Sequence, residues 1–293
     1  MAGFFGMFDY SKPGKGVSKE DAQKSGIELY FDILSRRLWK LIKLNLIYIL
    51  FSIPAIVIGW YLSRYAVISA VNMLDIKIDQ TVALGVRSLY MLLLILVLQL
   101  CGTGPASAAM CYVLRKYVND THSWVWSDFF DAFKENFFQG IAAYIINTAI
   151  FFLCVTSAFL YPRIAPGFSG QLLSAFITIF LAVFLMMQMY VYQIMSGFKL
   201  SVKNIYKNAA ILTLAKLPWN ILSALVSCIF FYGIYMAMAS IFMLGEFLAI
   251  VILYSLITFT QVFMTNNVMK KYLQEPFEKN TPCTEKDEVF EDK

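Results

Sequence analysis

The residues able to carry chemistry in this chain of 293 residues are few and scattered. There is a single histidine, His122, and its nearest acids are Asp120 and Asp128. One imidazole with no second histidine and no cysteine pair cannot assemble the compact donor set that zinc requires. His122 therefore reads as a solvated loop residue. The five cysteines are Cys101, Cys111, Cys154, Cys228 and Cys283, and the first four fall inside apolar blocks without a CxxC pair. They read as small buried side chains, not as a disulfide frame or metal site. No serine has the histidine and aspartate frame of a nucleophile. A GxxxxGK[ST] phosphate loop is absent, and Gly102-Thr103-Gly104 lacks the strand and third glycine of a dinucleotide loop. These residues predict a protein that is not an enzyme and that binds no cofactor, metal or nucleic acid.

Two patterns remain. The first is aromatic and basic: Trp124, Trp126, Phe129, Phe130 and Phe133 with Lys134, and then Lys199, Lys203 and Lys207 at four-residue spacing. Such segments anchor a protein at the membrane interface or form a docking face for another protein. The second is a set of helix-perturbing residues within apolar blocks: Pro54, Gly102, Gly104 and Pro105, the last three inside a run of small residues ending at Ala109. Close helix packing with a proline kink is one reading, and a partner-helix groove or gate is the other.

The elements that must position these residues are set by the membrane. Hydrophobic residues make up 59% of the chain and charged residues 15%, against roughly 45–50% and 25% in soluble domains. Mean hydropathy is +0.65. Six stretches approach the roughly 20 apolar residues needed to cross a bilayer. They are about Leu44–Tyr61, Leu89–Leu114, Phe137–Tyr161, Phe168–Phe198, Trp219–Met243 and Phe247–Met264, and none holds Asp, Glu, Lys, Arg or His. The last two are separated only by Leu244-Gly245-Glu246, a tight turn at the membrane face. The absence of buried charge argues against a proton-coupled carrier or voltage sensor.

Orientation follows from Lys and Arg. Twenty of the 24 basic residues lie in the leader 1–43, the loops after the second and fourth spans, and the tail, leaving Arg64, Lys77, Arg87 and Arg163 on the other side. Positive charge stays inside, so both termini are expected in the cytoplasm of a multi-pass plasma-membrane protein. Before the first, third and fifth spans, apolar residues such as Tyr30, Phe129 and Ile205 recur at helical spacing opposite polar ones. Each such segment predicts an interfacial helix. The expected fold is thus all-α, with six transmembrane helices as three hairpins, each preceded by a cytoplasmic amphipathic helix. The expected division is a partly flexible leader 1–25, a membrane domain 26–273 and a disordered acidic tail 274–293. The charged leader does not fit a cleavable signal peptide.

Several segments resemble the bacterial YesL family of uncharacterised membrane proteins. They are Met1-Ala2-Gly3-Phe4-Phe5, Leu44-Asn45-Leu46 with Ile53-Pro54, and Gly104-Pro105-Ala106-Ser107-Ala108-Ala109. The most specific is Trp126-Ser127-Asp128-Phe129-Phe130 running into Phe133-Lys134-Glu135-Asn136-Phe137; Lys207-Asn208-Ala209 and Leu217-Pro218 add weaker matches. The resemblance implies a role near sugar import, because family members tend to be encoded beside carbohydrate ABC transporters. The expectation is an accessory subunit contacting ABC permease subunits. The alternative is a stand-alone channel or carrier for a neutral solute such as a sugar. A solvated intramembrane cavity lined by Asn147, Gln188 or Gln193 favours transport, whereas a sealed core with an exposed apolar flank favours a partner subunit.

Overall fold

The computed structural model describes residues 26–73, 97, 101–240 and 247–274. The expected leader 1–25, the turn at 244–246 and nearly all of the acidic tail lie outside these residues. Every described element is helical. The elements are α1 (Gly26–Phe51), α2 (Ile53–Met73), α3 (Pro105–Val118), α4 (Val125–Glu135), α5 (Phe137–Ile164), α6 (Phe168–Met195), α7 (Val202–Ala215), α8 (Leu217–Ser240) and α9 (Tyr254–Met269). One π-helical turn, Ala249–Leu253, leads into α9, and another, Lys270–Gln274, follows it.

The chain divides into two units, residues 1–36 and 37–293. In the first, the described part is the start of α1. There the Asp32–Arg36 pair, one helical turn apart, closes at 2.9 Å, and Ser35 Oγ donates to the Asp32 carbonyl. Such surface pairs add only a few tenths of a kcal/mol to a helix, roughly 0.2–0.5.

In the second unit α3 is the central element, with α4, α5, α6 and α9 packed around it. Ala106, Ala108, Ala109, Val113 and Leu114 are completely buried. Small side chains let neighbouring backbones approach, which replaces the hydrophobic drive that lipid does not supply. The outward faces of α2, α5, α6 and α8 carry exposed Ile58, Leu153, Phe176 and Ile229. An apolar rim around an interior that also buries Asn, Gln, Ser, Thr and Tyr side chains fits a protein whose solvent is lipid.

Three helices are long and apolar enough to cross a membrane: Phe137–Ile164, Phe168–Met195 and Ile250–Leu273. Counting two bent pairs as one span each raises the number to five among the described residues. The first part of the stretch Leu89–Leu114, residues 89–96 and 98–100, lies outside them. The first apolar block, expected as one span over Leu44–Tyr61, is instead divided between α1 and α2, which meet at 69°. Proline explains the division. Pro54 is the second residue of α2, has no N–H to give the Leu50 carbonyl, and its ring excludes a continuing helix. Pro218 holds the same position in α8, where α7 and α8 meet at 95°. A single residue interrupts the helix each time: Ser52, Asn136 between α4 and α5, and Lys216. An amphipathic segment thus precedes a break and then an apolar helix, three times along the chain.

Side chains stitch these breaks. Asn136 Nδ2 donates to the Ala132 carbonyl at 2.8 Å, and Asn220 Nδ2 to the Thr213 carbonyl at 3.0 Å. Asn45 serves the π-helical turn before α9, donating to the Ile250 carbonyl and accepting from the Ser255 N–H at 2.7 Å. A π turn displaces backbone partners, and Asn45 supplies one of each polarity.

Candidate functional site: a helix break beside a cavity

The small-residue run is more than a kinked helix. Residues Cys101 to Gly104 are not helical, and α3 starts only at Pro105. Gly102 and Gly104 have φ of 73° and 74°, a left-handed conformation that a Cβ penalises. Space imposes glycine as well. A Cβ on Gly102 would lie 2.3 Å from the Tyr192 ring, and one on Gly104 would lie 2.9 Å from the Gly140 carbonyl oxygen. Pro105 as the first residue of α3 needs no N–H partner. The expected proline kink is therefore corrected to an unwound turn.

Unwound backbone at membrane depth is tolerated only where protein satisfies it. The Cys101 carbonyl accepts from Tyr192 Oη at 2.7 Å and from Asn147 Nδ2 at 3.0 Å. Tyr206 Oη on α7 donates to Asn147 Oδ1 at 2.6 Å, fixing the amide. On the other side Thr103 N–H donates to Ser107 Oγ at 2.8 Å, and Ser52 Oγ, from the α1–α2 break, donates to Thr103 Oγ1 at 2.8 Å. Two helix breaks are thereby joined directly. Asn147 and Ser52 are buried, so each of these bonds replaces an otherwise costly orphan group.

Next to the break lies a cavity of about 410 Å3 bounded by α1, α3, α6, α8 and α9. Its polar lining comes from Tyr48, Ser107, Gln188, Tyr192, Gln193, Ser227, Thr258 and Gln261, and among the described residues no charged side chain lines it. Most of these groups are already engaged. Gln193 is paired with Thr265 at 2.9 Å, and Gln261 Nε2 donates to Ser227 Oγ at 3.3 Å. Gln188 differs: its Nε2 makes a long 3.4 Å bond to the Phe184 carbonyl, and its buried Oε1 has no partner. Of the three polar residues expected to mark a transport cavity, Gln188 and Gln193 line it, whereas Asn147 is spent on the break.

The aromatic and basic residues sort into two groups. Phe129, Phe130 and Phe133 surround Phe51 at ring-centroid separations of 5.5, 6.0 and 4.9 Å. Phe129 is completely buried, so it holds α4 to the end of α1 and is not a contact for anything outside. Trp124 and Trp126 are 72% and 56% exposed. Lys134 lies 4.2 Å over the Phe130 ring, and Lys199 comes within 3.9 Å of Glu135. Lys203 and Lys207 are exposed on α7.

Beneath them lies an ionic patch that the sequence did not single out. Lys116 Nζ meets Asp128 Oδ1 at 2.9 Å, with side chains 28% and 18% exposed. Burial alone would raise the Asp128 carboxyl, but the hydrogen bond and charge of Lys116 hold its pKa below the ordinary carboxylate value. Burial likewise pulls the Lys116 ammonium down, and Asp128 with Tyr112 more than reverses this. Arg37 pairs with Asp120 and lies 5.0 Å over the Tyr117 ring. His122 packs edge-on against Trp124 at 5.3 Å. No group of three or more His, Cys, Asp or Glu able to hold a metal occurs among the described residues.

Residues 41–158 match the model of a family described as a protein of unknown function, DUF624. The match runs from α1 through the break and α4 into α5. It therefore includes Asn45, Pro54, Gly102–Pro105, the Phe51 cluster and Asn147. No curated protein and no solved structure matches the chain.

Proposed function

We propose that this chain is a non-enzymatic protein of the YesL type, and an accessory subunit of a carbohydrate ABC uptake system. In this reading it sits in the plasma membrane with six spans in three hairpins and both termini in the cytoplasm. The observation that supports it is the outward face of α4 and α7. Internal packing consumes Phe129 and Phe51, yet Trp124 and Trp126 stay exposed, as do Lys134, Lys199, Lys203 and Lys207. Exposed tryptophan is a common anchor of protein interfaces, and exposed lysines steer an acidic partner. Co-purification with the permease subunits in mild detergent tests the reading, with Trp124→Ala/Trp126→Ala expected to lose the permease while the chain stays folded. No permease recovered with the native chain, together with unchanged sugar uptake after deletion, would sink it.

A second reading is a stand-alone carrier for a neutral solute, favoured by the cavity beside the break, whose described lining carries no charge. A broken helix flanking a midplane site is the arrangement of many transporters. Flux of labelled sugars into proteoliposomes containing this chain alone would support it. The mainly apolar lining of the cavity counts against a free sugar, whose many hydroxyls would lose water without finding partners.

A further inference from the structure

One side of α7 is open. Lys203, Lys207, Ile211 and Leu214 are all exposed, and their spacing of four, four and three residues puts them on one helical face. The opposite face, with Ile205, Ala209 and Leu212, is buried in the bundle. Neither Lys203 nor Lys207 pairs with a carboxylate among the described residues. Lys216 follows the last residue of the helix. From Lys216 back to Lys203 the order is therefore one cation, two large apolar side chains and two cations.

The end of α9 lies beside this helix. Lys216 Nζ sits 5.4 Å over the Tyr272 ring, and Asn266 Nδ2 donates to Asn119 Oδ1, after α3, at 3.0 Å. Residues 275–293 lie outside the described ones, and their sequence holds seven acidic residues against three lysines. The acids are densest in Glu285-Lys286-Asp287-Glu288-Val289-Phe290-Glu291-Asp292. In an extended chain Glu288, Phe290 and Asp292 share one side, so that side reads acid, aromatic, acid. The lengths agree as well. Lys207 to Lys216 covers about 14 Å of helix, and Glu288 to Asp292 covers about 14 Å of extended chain. The stretch from Gln274 to Glu288 can span up to roughly 48 Å, enough to turn back over all of α7.

We propose that the acidic segment 285–292 of this same chain docks on the open face of α7. Glu288 lies towards Lys216, Phe290 between Leu214 and Ile211, and Asp292 towards Lys207 and Lys203. Exposed ion pairs are individually weak, and attachment within one chain raises the effective concentration enough for a few of them to hold. The docked segment covers lysines that an acidic partner would use. That regulatory consequence rests on the accessory-subunit reading, whereas the docking does not.

The test puts a photocrosslinker into the full chain in nanodiscs, as Phe290→p-benzoylphenylalanine. Irradiation should give a product of monomer mass whose crosslink maps to the peptide around Ile211–Leu214. Lys203→Glu/Lys207→Glu changes only exposed side chains and should lower the yield about fivefold. Adding Glu291→Lys/Asp292→Lys should restore the yield, which no folding defect could do. Adducts confined to lipid would show that the bilayer covers α7, and a dimeric product that a second copy does; either overturns the proposal. So does a yield indifferent to the charge reversals. Permease co-purification separates the docking from the accessory-subunit reading. Glu291→Lys/Asp292→Lys alone should lose the crosslink and recover more permease than the native chain. A native crosslink with no permease from either chain supports the docking and sinks the accessory subunit. Permease recovered by a native chain that gives no crosslink does the reverse.

Discussion

Gly102 is where a single added carbon should be felt most. Gly102→Ala puts a Cβ into the Tyr192 ring at a φ of 73°, and strained left-handed positions cost about 1–3 kcal/mol each. The thermal midpoint of the detergent-solubilised chain should fall clearly. Gly233→Ala, with nothing within 4 Å of the added carbon, should leave it unchanged or slightly raised, since alanine is the better helix former. Equal effects at the two positions would mean that the break is not held as described. Asp128 makes a second residue-scale prediction. Its folded carboxyl binds a proton more weakly than the unfolded one. Its contribution to stability is therefore complete above the ordinary value of about 4 and is lost as the pH falls through the lower folded value. Lys116 has the opposite sign: its contribution is present at neutral pH and lost only as the pH rises through its raised folded value. Melts followed by tryptophan fluorescence should lose part of their acid sensitivity in Asp128→Asn, whereas an unchanged acid slope would show that the pair contributes nothing.

At the scale of elements, α4 is held by one side chain more than any other. Phe51, the last residue of α1, touches Trp126, Phe129, Phe130 and Phe133. Fully buried Phe→Ala changes cost about 3–5 kcal/mol, and Phe51 is half-buried, so a smaller loss is expected for Phe51→Ala. The readout is local: limited proteolysis should begin within Val125–Glu135 while α5 and α6 stay protected. Cutting elsewhere first would contradict the clamp. Much of this element-level picture was legible in the sequence. The 3.6-residue spacing of Phe129, Phe133 and Phe137 marked an amphipathic helix, whereas Pro54 reads in sequence as a kink within one span and Pro218 does not read as a break at all. The partner of the phenylalanines was not legible, because Phe51 belongs to an apolar block that composition alone reads as span. The unwinding at Cys101–Gly104 was hidden for a similar reason. Two glycines and a proline in an apolar run fit a kinked helix equally well, and what decides between them is the convergence of Asn147, Tyr192 and Ser52 from distant elements.

For the whole molecule, three helix breaks, at Ser52, Asn136 and Lys216, divide amphipathic segments from apolar helices, and the first of them is joined to the unwound turn Cys101–Gly104 through Thr103. The aromatic and basic surface and the cavity occupy different parts of this arrangement. The proposal that the aromatic and basic surface faces a cytoplasmic partner depends on orientation. Basic residues fixed that expectation in the sequence, and no feature internal to a helical bundle reports it. Fusions of alkaline phosphatase, active only outside the cytoplasm, and of a green fluorescent reporter, bright only within it, decide the matter. Placed after Asp120 and after Lys199, the fluorescent reporter should be bright and the phosphatase silent. Placed after Pro166, between α5 and α6, the phosphatase should be active. The reverse pattern at these three sites would put Trp124, Trp126 and the lysines of α7 on the wrong side of the membrane and contradict the account.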